Sequence, residues 1–531
     1  MSFPSLFARW APARSLTTVG LALALVFPAA PAGAHSPAAG LHAAGPRDGP
    51  TAQALPSLGD GDGMSVAAER RLGDRIVRSL YADPSYLDDP VIGDYLQALW
   101  QPLMAAARDR GEVSPELAER LAWELLVSRD KSVNAFAMPG GYLGIHLGLL
   151  AVTERPEEVA SVLAHELSHV SQRHIARMIS REERMAPWMI GAMILGALAA
   201  GSNPNVAGAA MAGSTAVAAQ RGLNFSRDME READRVGFGV LTGAGFDGQG
   251  FVSMFDRLQQ ASRLNDDGAF PYLRTHPLTA DRIADMRARL PVGPLASAAP
   301  RAGLPTPAQH ALVAARARVL SENNPDRWRA WLQVGTAAGA SAGDRYAAAL
   351  SALRLGQRDR AITLGESLRL AAPAEARPLV EFFLMEALLA PGPGPAANGP
   401  LLAGLRDTAL AGGSRSAVLW GAQAALATGQ TARAAQRLQE WVVMWPRDAL
   451  AWQTLARVRQ AQGLTLHAVR AEAEARAAHR DFSGAAERLR AAQALPPAAR
   501  GNDAIELAIV DSRRREVEAQ LREQLREEKE P

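Results

Sequence analysis

At 531 residues the chain is too long for one small core, so two or three domains are expected. A formal charge of +2, carried by arginine with lysine only at Lys131 and Lys529, argues against a dedicated nucleic-acid binder. There is no cysteine, which excludes disulfide scaffolds, thiolate zinc sites and cysteine nucleophiles, and leaves histidines and carboxylates as the strong metal ligands.

Residues 1–34 read as a secretory signal peptide. Arg9 and Arg14 precede an apolar run from Leu16 to Ala30, and Ala32-Gly33-Ala34 forms a cleavage site near Ala34. Pro28 and Pro31 interrupt the run and favour removal over an uncleaved anchor, so Sec export with cleavage is expected. Residues 35–63 are rich in Ala, Gly, Pro and Asp and read as a disordered linker.

A catalytic domain is expected over 64–290. Helical patterns run through Glu69–Tyr81 and Val91–Arg110. From Trp123 the chain turns β-like as far as Phe136, Met138-Pro139-Gly140-Gly141 reverses it, and Tyr142–Ile145 resumes it as a hairpin. His146 falls at a strand or loop position. The recurrence of Val159, Val162, Leu163, Leu167 and Val170 then predicts one helix from Glu158 to about Gln172.

On that helix stands His165-Glu166-Leu167-Ser168-His169. Imidazoles four residues apart leave the same face one turn apart, which suits a shared zinc ion, one per chain. Glu166, beside the first ligand, is placed to take a proton from an attacking water. A metzincin would supply a third histidine six residues after His169; Ile175 stands there, and His174, one position short, reads as an exposed helix residue. The better third-ligand candidate is Glu230, which shares a helix face with Ala233, Asp234, Gly237 and Leu241. Buried carboxylates on such a face need compensation, which a zinc ion on Glu230, with Asp234 orienting a histidine, would supply; an ordinary charged face is the alternative. Glu232 points away and reads as solvated.

The intervening 185–220 segment is apolar, but Trp188–Ala200 and Val206–Ala219 each fall short of the roughly 20 residues a spanning helix needs. Three readings stand: buried helices, a lid over the cleft, or contact with a membrane surface. His276 precedes Pro277 and is therefore extended. It is a candidate transition-state helper or fourth zinc ligand, or else it packs or caps. Arg282, on the following helix, either meets the substrate or pairs with an acid.

Pro, Gly and Ala over 291–307 mark a linker. Residues 308–500 then repeat: Gly356, Ala361 and Pro373 have the spacing of Gly429, Ala434 and Pro446, and Gly463 and Ala468 recur with Trp452 and Ala456 ahead of them. The pattern resembles tetratricopeptide repeats, which stack helix pairs into a partner-binding solenoid. Ala486 is out of phase and suggests a capping unit, and residues 501–531 read as a charged C-terminal helix or tail with fraying ends.

Four motifs in one order carry a family resemblance: Asn134-Ala135-Phe136-Ala137-Met138-Pro139-Gly140-Gly141, His165-Glu-x-x-His169, Glu230-x-x-x-Asp234, and Thr275-His276-Pro277 followed by Arg282. Over roughly residues 65–290 the chain resembles the HtpX/CaaX-protease family of zinc peptidases, and the export signal and helical repeats resemble its periplasmic members. The resemblance implies a gluzincin-like fold, mainly α with a small sheet, His165-His169-Glu230 zinc ligation and endopeptidase activity. It places Asn134, Ala135 and Phe136 on a strand beside the cleft, where an extended substrate adds to the edge. It also implies a role in quality control and assembly of outer-membrane β-barrel proteins, with unfolded or misassembled proteins as substrates and the assembly machinery as partner of the repeats. A chaperone or scaffold with little proteolysis, and a membrane-embedded protease, are the alternatives.

Overall fold

The computed structural model describes residues 64–181, 226–264, 270–291, 303–391 and 398–529. The signal peptide, the 35–63 linker, the 185–220 segment and most of the 291–307 linker lie outside the described residues.

The first half is mainly helical around a small sheet. Helix α1 (Val66–Tyr81) begins at Ser65, whose hydroxyl accepts from the Ala68 N–H. Helix α2 (Pro90–Asp109) begins at Asp89 with proline at its first position, and α3 (Pro115–Arg120) is a short turn capped by Ser114. Strands β1 (Glu124–Ser128), β2 (Ala135–Met138) and β3 (Tyr142–His146) follow. The expected β2–β3 hairpin is present, with Gly140 and Gly141 both at positive φ in its turn. β1 pairs with β3 in parallel, so the sheet order is β1-β3-β2 and β2 is an edge strand.

Helix α4 (Leu147–Val152) leads into α5 (Pro156–Ser171), the predicted ligand helix, which is buried along nearly its whole length. α6 (His174–Arg181) follows after a break. Beyond the undescribed segment come α7 (Arg227–Gly243), α8 (Gln249–Leu264), α9 (Pro271–Thr275) and α10 (Ala280–Ala288). α7 and α8 both pack on α5, and the sheet supports it through β2.

From Pro307 the described chain is a succession of paired helices. Gly356, Gly429 and Gly463 each stand between two paired helices at φ of +75°, +70° and +75°, a left-handed conformation only glycine adopts at little cost. Ala361, Ala434 and Ala468, five residues on, are buried where the helices touch. The arrangement is that of a repeat array.

This array shares a core with the first half: one continuous apolar cluster runs from Leu72 through the ligand helix to Ala424. At its seam the Arg316 guanidinium donates to Asp89 at 2.6 Å and Glu386 at 2.8 Å, and all but the glutamate are buried. The charged C-terminal stretch forms a helix, Ala504–Glu527, and its far end is held rather than free. Val510 and Val517 bury against the last repeat helices, and beyond them Glu528 pairs with Arg78 of α1 at 2.6 Å. Ion pairs to the repeat helices add to this hold, among them Arg513 with Glu474 at 2.7 Å and Glu518 with Arg490 at 2.9 Å.

Replacing Arg316 with alanine strands the Asp89 carboxylate in the seam. Such a loss destabilises by about 3–5 kcal/mol, and urea unfolding followed by circular dichroism should show it, with the two halves melting together.

Candidate metal centre

The site is assembled by two helices that approach unusually closely. On α7, Glu230, Asp234, Gly237 and Leu241 share the face turned to α5, and all four are buried. Gly237 is the point of closest approach: a Cβ there would lie 3.1 Å from the Ala164 carbonyl group and the His165 nitrogen. Gly250 does the same for α8, where a Cβ would come within 2.5 Å of the Glu157 carbonyl oxygen. The missing side chains let the acidic face of α7 reach the histidines of α5.

Four side chains converge there: His165, His169, Glu230 and His276, each offering one donor atom within 4.8 Å of the others. His165 Nε2 lies 3.0 Å from His169 Nε2 and 3.5 Å from the nearer Glu230 oxygen, and His169 Nε2 lies 3.4 Å from Glu230. His276 Nδ1 stands 2.9 Å from Glu230 and 3.3 Å from His165 Nε2. Donors around one tetrahedral zinc, at about 2.0–2.1 Å from it, stand roughly 3.3–3.4 Å apart. The donor set therefore fits a single small divalent cation.

Charge leads to the same conclusion. Glu166, Glu230 and Asp234 are buried beside one guanidinium, Arg282. Ionised, three carboxylates and one arginine leave two negative charges in a water-poor site, which a divalent ion cancels. Without the ion, protons must substitute. Burial opposes a charge on His165, yet its hydrogen bonds to the Asp234 and Glu230 carboxylates outweigh it and hold this imidazole up to about 10. His169 goes the other way, well below the ordinary range, because burial dominates. Burial would raise Glu230 too, but the surrounding histidines keep it well below the usual carboxylate range.

Asp234 accepts from His165 Nδ1 at 3.0 Å, which turns Nε2 to the centre. Of the two roles left open for Arg282, the acidic pairing is observed. Its Nε and Nη2 donate to the two Asp234 oxygens at 2.7 and 2.8 Å, and Nη1 lies 2.7 Å from Glu230. Glu166 is fully buried, and burial raises its pKa. Its carboxylate accepts the Ala137 N–H at 2.9 Å and lies 3.5 Å from His276 Nε2. Asn134, Ala135 and Phe136 lie at the start of the edge strand: Asn134 and Ala135 are buried, and the Phe136 ring covers Gly144. His146 ends β3, with Nδ1 2.9 Å from the Ser132 hydroxyl, outside the centre.

Two expectations are corrected. His174 is buried, not exposed, its ring against His169 and Glu232, and Glu232 is half-buried between His174 and Arg177. On an unbroken helix His174 would lie about 140° around from His169. The chain instead breaks at Arg173, which adopts φ +51° and is held there by Glu69, and the break swings His174 back.

A buried pair of histidines four apart on one helix and a glutamate from a second helix define a zincin-type metallopeptidase centre. Residues 101–290 match Peptidase family M48. A Vibrio cholerae protein is 35% identical over 237 residues, 44% of this chain and 47% of its own length. The beta-barrel assembly-enhancing protease of Escherichia coli K12 is 32% identical over 245 residues, 45% of this chain and 47% of the relative. The mitochondrial metalloendopeptidase OMA1 of Arabidopsis thaliana is 33% identical over 159 residues, 30% of each chain. The chain thus spans about half the length of the bacterial relatives it matches.

Because His165 holds a proton at neutral pH in the metal-free protein, metal uptake must expel it. Apparent zinc affinity should rise about tenfold per pH unit between pH 7 and 9, with about one proton released per ion in weakly buffered calorimetry. Affinity independent of pH in that window would contradict the assignment.

Proposed function

We propose that the chain is a zinc-dependent endopeptidase of the cell envelope. The observation that carries this is the four-donor cluster with the Glu166 carboxylate at its edge and the edge strand β2 beside it. His165, His169 and Glu230 would hold the ion, which when bound supplies Lewis-acid activation of water and of the scissile carbonyl.

The protein's own groups supply the rest. Glu166 takes the proton of the attacking water and passes it to the leaving amine. Its burial keeps the carboxyl above the usual carboxylate range, nearer the value a base-then-acid needs. The Ala137 N–H fixes the carboxylate relative to β2, so the proton acceptor and the strand share one frame. An extended peptide would add along the outer side of β2 around Asn134, Ala135 and Phe136, bonding backbone to backbone and tolerating varied side chains, as suits unfolded substrates. His276 either serves the developing oxyanion or, as fourth ligand, holds the resting enzyme latent. Asp234 orients His165, and Arg282 locks Asp234 and Glu230.

The relatives named for β-barrel assembly motivate a wider reading. The chain would be exported, processed near Ala34 to a periplasmic form, and act on misassembled outer-membrane proteins, with the helical pairs of 308–500 as tetratricopeptide-type repeats binding the assembly machinery. The paired-helix array also supports a chaperone or scaffold role beside proteolysis. Among the described residues no helix is long and apolar enough to cross a membrane, and contact with a membrane surface through 185–220 remains part of the proposal only.

Glu166→Gln keeps an acceptor for the Ala137 N–H while removing the base. It should lower cleavage of an unfolded casein substrate by about 10²–10⁴-fold with zinc content unchanged. In the parent protein the acid limb of the pH–rate profile should lie above the range of an ordinary carboxylate. Equal cleavage by the variant would remove the mechanism.

A further inference from the structure

The two histidine ligands are oriented by different devices, and nothing above assigns the second. His165 Nδ1 faces a carboxylate, Asp234. His169 Nδ1 faces another imidazole: His174 Nδ1, 2.9 Å away, with the rings edge to face at 4.9 Å. His174 Nε2 in turn lies 3.1 Å from Glu232, which is also held by Arg177 at 3.0 Å.

Since His169 Nε2 lies among the converging donors, its proton must sit on Nδ1. His174 Nδ1 must then accept, which puts its own proton on Nε2, donated to Glu232. One tautomer assignment satisfies these three contacts together. We propose that His174 and Glu232 form a relay that positions His169 for the metal, with His174 fixing tautomer and ring orientation and Glu232 fixing His174.

Several features of the fold serve this arrangement. Arg173 stands in a left-handed conformation that a non-glycine residue adopts at a cost, held by Glu69 from α1. That break is what turns His174 onto His169. Glu232, two residues from the ligand Glu230, comes from the same helix, so α7 supplies a ligand from one face and braces the other histidine from the next. The relay ends on a half-exposed carboxylate, whereas Asp234 is sealed inside.

The inference rests on the zinc reading of the site, so its test measures metal binding directly. Zinc affinity is determined by competition with a chromophoric chelator, and cobalt-substituted protein is examined for its visible ligand-field bands. His174→Phe, which fills the space without an acceptor, should weaken metal binding by roughly 10–100-fold and shift the cobalt bands. His174→Gln, whose carbonyl can accept from His169, should recover a substantial part of the loss. Glu232→Gln should fall between the parent and His174→Phe, and Arg177→Ala close to the parent. Parent-like affinity and cobalt spectrum in a folded His174→Phe protein would overturn the relay. So would equal losses for His174→Phe and His174→Gln when both fold as the parent does. A parent protein that binds no zinc would instead overturn the metal reading itself, a separately visible result.

Discussion

The structure depends on one close contact: the backbone of α5 against the backbone of α7 at Gly237. A Cβ at Gly237 would lie 3.1 Å from the α5 backbone and would press the helices apart by a few tenths of an ångström, moving Glu230 and Asp234 outward. With hydrogen at Gly237, two carboxylates enter a space already holding two imidazoles and, from the α9–α10 turn, a third. What would otherwise be a serious electrostatic fault, several buried like charges, becomes a cation-binding cradle. The same contact sets the tautomer of His165, because Asp234 reaches Nδ1 only at this separation. Gly250 repeats the device on the other flank of α5, so the ligand helix is gripped at backbone distance from two sides.

Much of this was legible in the sequence, because it follows from helix periodicity and charge. His165, Glu166 and His169 announce themselves by spacing alone. Glu230 and Asp234 could be singled out because acids on a small, apolar helix face need a partner. The β2–β3 hairpin and the paired helices were readable from Gly140-Gly141 and from the recurrence of Gly356, Gly429 and Gly463, where the backbone demands left-handed turns. Illegible were features in which the chain departs from its local rule. On an unbroken helix His174 falls in solvent; a single left-handed residue, Arg173, turns it into the site, and no propensity marks an arginine for that conformation. Glu232 is hidden for the same reason, since its partner His174 reaches it only through that break.

Long-range packing was equally hidden. Beyond the 291–307 linker, helix Pro307–Leu320 packs on α4, and Arg316 reaches across to cap-forming Asp89. A second bridge joins the sheet to the later repeats: Arg480 pairs with Asp74 at 2.8 Å and donates to the Tyr142 hydroxyl at 3.1 Å. Tyr142 opens β3, the strand on which edge strand β2 is registered. None of these residues carries a periodicity that would foretell its partner, because each pair is more than 200 residues apart in sequence.

These bridges give the two halves a physical relation beyond attachment. Glu166 is fixed by Ala137 of β2; β2 is fixed by β3; and the first residue of β3 is held through Asp74 by an arginine of the repeat array. A change in the array that withdrew Arg480 would leave the Tyr142 hydroxyl and the Asp74 carboxylate to find other partners at the foot of the hairpin that positions the proton acceptor. Rigid elements with short hydrogen bonds transmit such a change better than a flexible tether would, since neither the hairpin nor the helices have room to absorb it. The buried charge ledger points the same way. At the centre the carboxylates, Arg282 and either an ion or protons on the histidines must balance together, so the charge state of each group depends on the others.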